Sequence, residues 1–480
     1  MSEPGDDVVD SLGRFLSRLG IIEPEQLRPT LDLAWPRVVT GFAIMSKQTA
    51  DLAMVGIAVG TAGTAGLAFA LGYWSIVVLL GLGLAGGTVS LVSQNYGGGR
   101  DDRAALVVKQ SALVAALFAA PIMAVFALFA PELIAVLGAE SDALHHGTVY
   151  LLLVTPAVLF EMLNLIASRT YTGVGDTFTE MVVRSGGAVL NVVLSAVFIF
   201  SLGMGVAGAA LGTTLSTGVV MIILAWGMFG RSYGGLGMEP SPVPISLSTP
   251  LVDPAIVRQL LEVSAPEIGR RLAEGLVIFP LLWIAASFGP VVVTALEVAR
   301  RVRAMINSIN WGMSLASSSL VGQHLGAGEE SEADAYGTGI IRLAMVVYIV
   351  VAGAVILFAS PIAELFVSGS EEVAITTTFI AVAAISAVGL GLDGTASGAL
   401  VGAGDTRWPF VASLVGRYGF ALPAALFGLV TPLGVAGLYL ALVLESFVPG
   451  SINYGLFRSG RWKVVSRRYR PSGDAGRESD

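Results

Sequence analysis

Twelve apolar stretches, each long enough to cross a bilayer, succeed one another along the chain, and this limits the fold before any motif is read. They lie near 30–58, 64–94, 104–129, 147–168, 180–201, 205–230, 256–287, 290–322, 339–360, 374–401, 409–430 and 434–457. Wound as an α-helix, about 20 such residues match a hydrocarbon core of roughly 30 Å. Composition points the same way: of 480 residues 54% are hydrophobic and only 13% charged, about half the charged share of an ordinary soluble domain. Surface of that kind has to face lipid, where helices and closed barrels alone satisfy the backbone. The runs have helix length, so the expected fold class is an all-α membrane protein of twelve transmembrane helices. A soluble enzyme, a nucleic-acid binder and a disordered scaffold are excluded.

Lysine and arginine set an expected orientation, since they accumulate in cytoplasmic connections. Alternate connections, near 60–64, 131–147, 200–205, 288–290, 361–372 and 430–434, contain neither residue. The others carry Arg100, Arg103 and Lys109, then Arg169 and Arg184, then Arg231 and Arg258, then Arg342, then Arg407 and Arg417. Both termini are therefore expected in the cytoplasm, with the chain multi-pass in the plasma membrane. The acidic start, with Glu3, Asp6, Asp7 and Asp10, is unlike a signal peptide. No cysteine is present, so neither a disulfide framework nor a thiolate metal site is open to the chain.

An internal repeat organises the spans. Leu91-Val92-Ser93-Gln94-Asn95-Tyr96-Gly97 recurs as Leu320-Val321-Gly322-Gln323-His324-Leu325-Gly326, at an offset of 229 residues. Gly175-Asp176-Thr177 returns as Gly404-Asp405-Thr406, and Gly205-Val206-Ala207-Gly208 as Gly434-Val435-Ala436-Gly437, at the same offset. The chain is thus expected as an amphipathic N-terminal segment (1–29), a six-helix lobe (30–230), a proline-rich linker (231–255), a second six-helix lobe (256–457) and a basic tail (458–480). Six spans per lobe place the pseudo-two-fold along the membrane normal, with a binding cavity between the lobes. Val8, Val9, Leu12, Phe15, Leu16 and Leu19 recur at helical spacing and suit either an interfacial helix or one packed on the connections. Arg461, Lys463, Arg467, Arg468 and Arg470 are expected to secure orientation and touch anionic headgroups.

Taken together, Asp51-Leu52-Ala53-Met54-Val55-Gly56, the paired Leu-Val-x-Gln-x-x-Gly and Gly-Asp-Thr motifs and Gly205-Val206-Ala207-Gly208-Ala209-Ala210 resemble the multidrug and toxic compound extrusion family, over residues 31–457. The resemblance implies two six-helix lobes and export of organic cations or amphiphilic compounds against protons or sodium ions. It makes Pro36 the proline that bends the first helix in the DinF-like branch, and Asp51 that branch's coupling aspartate, with Asn191 and Thr213 as polar partners. The branch's usual Asn-x-x-x-Asp is here Asn191 followed by Ser195. In the other lobe Glu274 resembles the helix-seven glutamate of the NorM-like branch. That branch's helix-ten aspartate falls on Leu390, with Asp393 one turn away. The chain mixes features of both branches.

Ionisable residues inside a membrane are costly and line cavities or pair with one another. Lys47 and Asp51 stand four apart on one helical face, either as a self-neutralising pair or as a carboxylate that alternates between a proton and a lysine or substrate. Glu161 and Asn164 share a face, as a second coupling site or as helix–helix hydrogen bonders. The seventh span carries Glu267, Arg270, Arg271 and Glu274, and the eighth Glu297, Arg300, Arg301 and Arg303. Arg300 follows Pro290 by ten residues and so lies roughly 15 Å deep. Glu267 with Arg271, Arg270 with Glu274 and Glu297 with Arg301 are spaced for a ladder of i,i+4 salt bridges. This cluster on the two spans sets five arginines against three glutamates, a surplus that favours an anionic or zwitterionic amphiphile if it faces the cavity. The Gly-Asp-Thr motifs read as turns with helix caps. No catalytic constellation, metal-ligand spacing or phosphate loop is present. The expected function is an antiporter, not an enzyme, acting on a small amphiphilic substrate by alternating access, with the lipid bilayer as partner. It would need no cofactor beyond the coupling ion, H+ or Na+, bind no nucleic acid and act as a monomer. The alternative is a lipid-linked saccharide flippase of the same superfamily, then a membrane-embedded enzyme or receptor.

Overall fold

The computed structural model describes residues 4–139, 141–234, 237–246 and 250–469, without the side chains of residues 4–8 and 141. Arg470, part of the linker and the rest of the tail lie outside the described residues. Every regular element described is helical. After α1 (Pro4–Arg18) come α2 (Pro24–Val59), α3 (Thr61–Gly97), α4 (Asp101–Val136), α5 (Ser141–Gly173), α6 (Thr177–Ala196) and α7 (Val206–Met228). Beyond the linker follow α8 (Pro254–Leu276), α9 (Ile278–Ser287), α10 (Pro290–Ala327), α11 (Glu330–Leu357), the short α12 (Ala359–Glu364) and α13 (Ser370–Gly402). The chain ends through α14 (Arg407–Leu414), α15 (Leu422–Val430), α16 (Ala436–Arg458) and α17 (Arg461–Tyr469). π-helical stretches at Val197–Ser201 and Val415–Ala421 extend α6 and join α14 to α15.

All twelve expected spans are helical. Ten are long and apolar enough to cross a membrane by length and composition. The other two are the charged ones: α8 and α9, interrupted at Val277, and α10 with Glu297, Arg300, Arg301 and Arg303. Several helices run to 36 residues or more, about 54 Å at 1.5 Å per residue, and so outlast the hydrocarbon core.

Two units divide the chain. The first comprises Pro36–Val92 and Arg100–Ile268, the second Met1–Trp35, Ser93–Gly99 and Gly269–Asp480. The division falls inside α2, between Trp35 and Pro36, where the proline ring has no N–H to donate to the preceding turn. In the first unit α5 packs on α4 and α7, and α6 on α7. Ser264 of α8 donates to the Leu84 carbonyl of α3 at 3.1 Å. In the second unit α13 is central, packed against α10, α11 and α16. Its core draws Leu16, Ile22 and Leu27 from the N-terminal segment together with Met313, Leu343, Tyr348 and Ile380. α1 thus packs through Leu16 while Leu12, Phe15 and Leu19 stay exposed.

The repeated motifs have structural reasons. Gly205, immediately before α7, and Gly434, two residues before the start of α16, both take φ of +53°, a conformation glycine adopts without Cβ strain. The Gln-x-x-Gly pair makes a reciprocal contact within the second unit. A Cβ at Gly97 would strike the backbone of Gln323, and one at Gly326 the backbone of Gln94. Gln94 donates to the Gly402 carbonyl at 2.9 Å and accepts from Ser466 of α17 at 3.0 Å. The tail is more engaged than expected: Arg467 forks onto Glu330 at 2.8 and 2.7 Å, and Lys463 lies 3.6 Å from Asp334. Gly97→Ala or Gly326→Ala is expected to cost about 1–3 kcal/mol through overpacking, read as a lower thermal midpoint of the purified protein, whereas exposed Gly72→Ala should leave it unchanged.

Candidate functional site

Asp51 is buried in the first unit among polar groups from three other helices. Thr213 of α7 donates to its Oδ2 at 3.4 Å. Asn191 of α6 is best placed with its amide nitrogen toward Asp51, 3.3 Å from Oδ2, which leaves the amide oxygen to accept from the Thr213 N–H at 3.1 Å. Ser195, one turn along α6, stands beside the same carboxylate, yet its Oγ and Asp51 Oδ1 are buried without a hydrogen bond. Gly212 makes the approach possible, because a Cβ there would meet the Ser195 backbone. Tyr150 of α5, fully packed, completes the group beside Asp51 and Thr213. The structure therefore assembles the residues that the resemblance placed together, and adds a tyrosine that no sequence pattern singled out.

A chain of charges of alternating sign leads away from Asp51 inside the same unit. The charges that bear most on the Lys47 ammonium are those of Glu161, Asp51 and Arg184. Lys47 does not close the i,i+4 pair with Asp51: among the described residues it makes no ion pair within 4.0 Å. Glu161 instead pairs with Arg184 at 2.8 Å, joining α5 to α6. Arg184 also faces Glu180, which pairs with Arg37 of α2 at 3.4 Å. Asn164 donates to the Thr217 carbonyl at 3.1 Å and ties α5 to α7. Arg184, counted from sequence as a connecting charge that sets orientation, is buried within a helix.

The second unit holds a larger cluster. Glu274 receives Arg270 at 3.0 Å, Arg271 at 3.4 Å and Arg417 at 3.5 Å. Arg303 pairs with Glu445 of α16 and donates to Ser446 at 2.6 Å. Asp393 accepts from Asn453 at 2.7 Å and lies among Arg417, Arg270 and Glu274. Arg417 is thus a buried member of the π-helical stretch and not a connecting charge. Of the expected ladder, Arg270–Glu274 is formed, whereas the Glu297–Arg301 rung is not, neither residue making an ion pair among the described residues; Glu267 and Arg271 each have further interactions. Glu297 faces Arg300, Arg301 is exposed, and Glu267 packs against Gly86 in the first unit. The surplus of two positive charges counted on two spans persists in the second unit. Glu267 falls in the first unit, Arg417, Glu445 and Asp393 join the cluster, and six arginines then stand against four carboxylates.

The Gly-Asp-Thr motifs are turns at helix starts, with Asp176 as the N-cap of α6 and Asp405 one residue before the N-cap of α14. Asp176 accepts from the Thr179 N–H at 2.9 Å, and Asp405 interacts likewise with the Trp408 backbone. Burial pushes both carboxyls above the usual carboxylate value, against the pull of these hydrogen bonds.

Comparison with known proteins places these two clusters in a family. The MatE family model matches residues 36–197 and again 268–427, one match in each half of the repeat. The chain belongs to the MatE family. It is a multi-pass membrane transporter by that membership and by its helices. It is 25% identical over 373 residues to mouse multidrug and toxin extrusion protein 2, covering 76% of this chain and 63% of that protein. It is 28% identical over 457 residues to a Deinococcus radiodurans protein named "Probable multidrug resistance protein NorM", covering 91% and 97%. Among solved structures, a MATE protein in a bent conformation aligns with a TM-score of 0.84 at 21% identity over 92% of this chain and 97% of the other. A MOP superfamily transporter from Pyrococcus furiosus, described as having a binding pocket of reversed polarity, aligns at 0.82 and 22% over 91% and 96%.

Within this MatE chain, sequence reasoning missed Tyr150, Glu180, Glu445 and Asn453. Glu445 had a signal, being the only charged residue in its apolar span; Tyr150 had none. Because Glu274 answers three guanidinium groups, Glu274→Gln removes an anion that all three share. The expected loss is about 3–5 kcal/mol, read as a lower thermal midpoint in detergent, while Arg301→Ala, at an exposed site, should leave that midpoint in place.

Proposed function

We propose that this transporter is a secondary antiporter. It exports organic cations, drugs or other amphiphilic compounds from the cytoplasm in exchange for H+ or Na+, by alternating access, with both termini cytoplasmic in the plasma membrane. The observation that carries the reading is the Asp51 site: one buried carboxylate, held by an amide and a hydroxyl from other helices and not by a tight ion pair. A carboxylate so placed can exchange its counter-ion during a transport cycle, whereas one locked to arginine holds helices together. The Glu274 cluster belongs to the second kind, and a structural role there is the reading we favour. The multidrug extrusion names borne by the relatives support the cargo class.

Uptake of a fluorescent organic cation into inverted proteoliposomes, under an imposed pH gradient and then a sodium gradient, tests the proposal. Asp51→Asn should lower gradient-driven transport by about tenfold or more with the thermal midpoint retained. Transport at the parental rate would make Asp51 structural.

The alternative, a flippase for a lipid-linked saccharide, draws on the arginine-rich second unit. Arg300 is half-buried and Arg301 exposed, so neither is locked into the core of that cluster. On this reading Arg300→Ala or Arg301→Ala shifts preference between anionic and cationic amphiphiles by about threefold or more, at unchanged expression. Equal preference in the variants and the parent removes the alternative.

A further inference from the structure

The Lys47 ammonium has two carboxylates as its main electrostatic neighbours and is paired with neither. It stands one helical turn before Asp51 on the same face of α2, with Glu161 of α5 as its other acidic neighbour. Glu161 already holds Arg184 at 2.8 Å through Oε1. Asp51 keeps one oxygen, Oδ1, buried and without a hydrogen bond. A four-carbon stem with a compact, rotatable ammonium can swing toward either acid without disturbing the helix that carries it.

The oxygens around Asp51 are of the kind a small inorganic cation takes. They are the carboxylate and the hydroxyls of Thr213 and Ser195. The cationic place beside that carboxylate is already filled. The Lys47 ammonium stands one turn away on the same helix, with Glu161 and Asp51 as its acidic neighbours. A sodium ion at Asp51 would add a second positive charge beside it inside the membrane, which is the costly outcome. Without the lysine charge, that repulsion is gone.

We propose that the Lys47 ammonium is the resident cation of this site, shared between Asp51 and Glu161, and that it bars sodium from the Asp51 carboxylate. Lys47 is then a specificity-determining residue. Its place in transport rests on the antiport reading above, but its effect on ion binding does not. No bond forms or breaks in the exchange: the ammonium moves between two acids and keeps its three protons.

Sodium binding to the purified full-length chain, measured with radioactive sodium and no transported compound present, tests the proposal. The parent, Lys47→Arg, Lys47→Gln, Asp51→Asn and Lys47→Gln/Asp51→Asn are compared. Parent, Lys47→Arg and Asp51→Asn should bind sodium alike. Lys47→Gln should gain a component at least about tenfold tighter, the size of effect that one unit charge within ~4–6 Å exerts on a carboxylate, and the double variant should lose it. The proposal is overturned if the parent already binds sodium in a way that Asp51→Asn removes, or if Lys47→Gln binds no more than the parent. The first comparison needs no Lys47 variant, so a poorly folding Lys47→Gln does not shelter the idea. Absence of drug transport with this sodium pattern intact would count against the antiport reading alone.

Discussion

A charge inside a bilayer has no water to fall back on, so each buried carboxylate and guanidinium must be answered from another helix. That requirement orders both units. Glu161 with Arg184 ties α5 to α6, Glu180 with Arg37 ties α6 to α2, and Arg303 with Glu445 ties α10 to α16. Hydrophobic burial contributes little specificity between helices in lipid, because lipid tails are as apolar as leucine. The polar pairs, and the glycines that let backbones touch at Gln94 and Gln323, choose which helix faces meet.

The duplication shows which parts of the ancestral unit backbone geometry demanded. Gly205 and Gly434 keep the same φ, and the two Asp residues of the Gly-Asp-Thr motifs interact alike with the backbone three residues on. The polar residues around Asp51 are not duplicated. At an offset of 229, Asp51 corresponds to Pro280, Asn191 to Phe420 and Thr213 to Leu442. The halves therefore share helix ends and turns, while each carries its own buried charges.

Legibility from sequence follows the same division. Spans, repeat and caps depend on local rules, a run of apolar residues or a glycine before an aspartate, and the helices of the structure fall where those rules place them. Partner choice depends on which side chains of distant helices come together, and local rules do not reach it. Arg184 and Arg417 looked like connecting charges because each stands near the start of its span, yet both are buried on carboxylates, Glu161 and Glu274, that come from other helices. The i,i+4 rule predicted Lys47–Asp51 and Glu297–Arg301, and neither forms. Within a membrane the competing partners on neighbouring helices offset the few tenths of a kcal/mol that such spacing contributes on an isolated helix.

The two charged regions differ in the freedom of their anions. Glu274 is ringed by three guanidinium groups, whose rigid forks hold a carboxylate in fixed geometry; to release it would take a shared anion from all three. Asp51 is held by one hydroxyl and one amide, neutral groups whose contacts at 3.3 to 3.4 Å are long for hydrogen bonds. Neutral partners do not have to be recharged when the carboxylate changes its counter-ion, and the nearest cation is a flexible lysine. That difference in partner chemistry, and not the presence of a buried acid as such, separates a carboxylate suited to exchange from one suited to hold helices together.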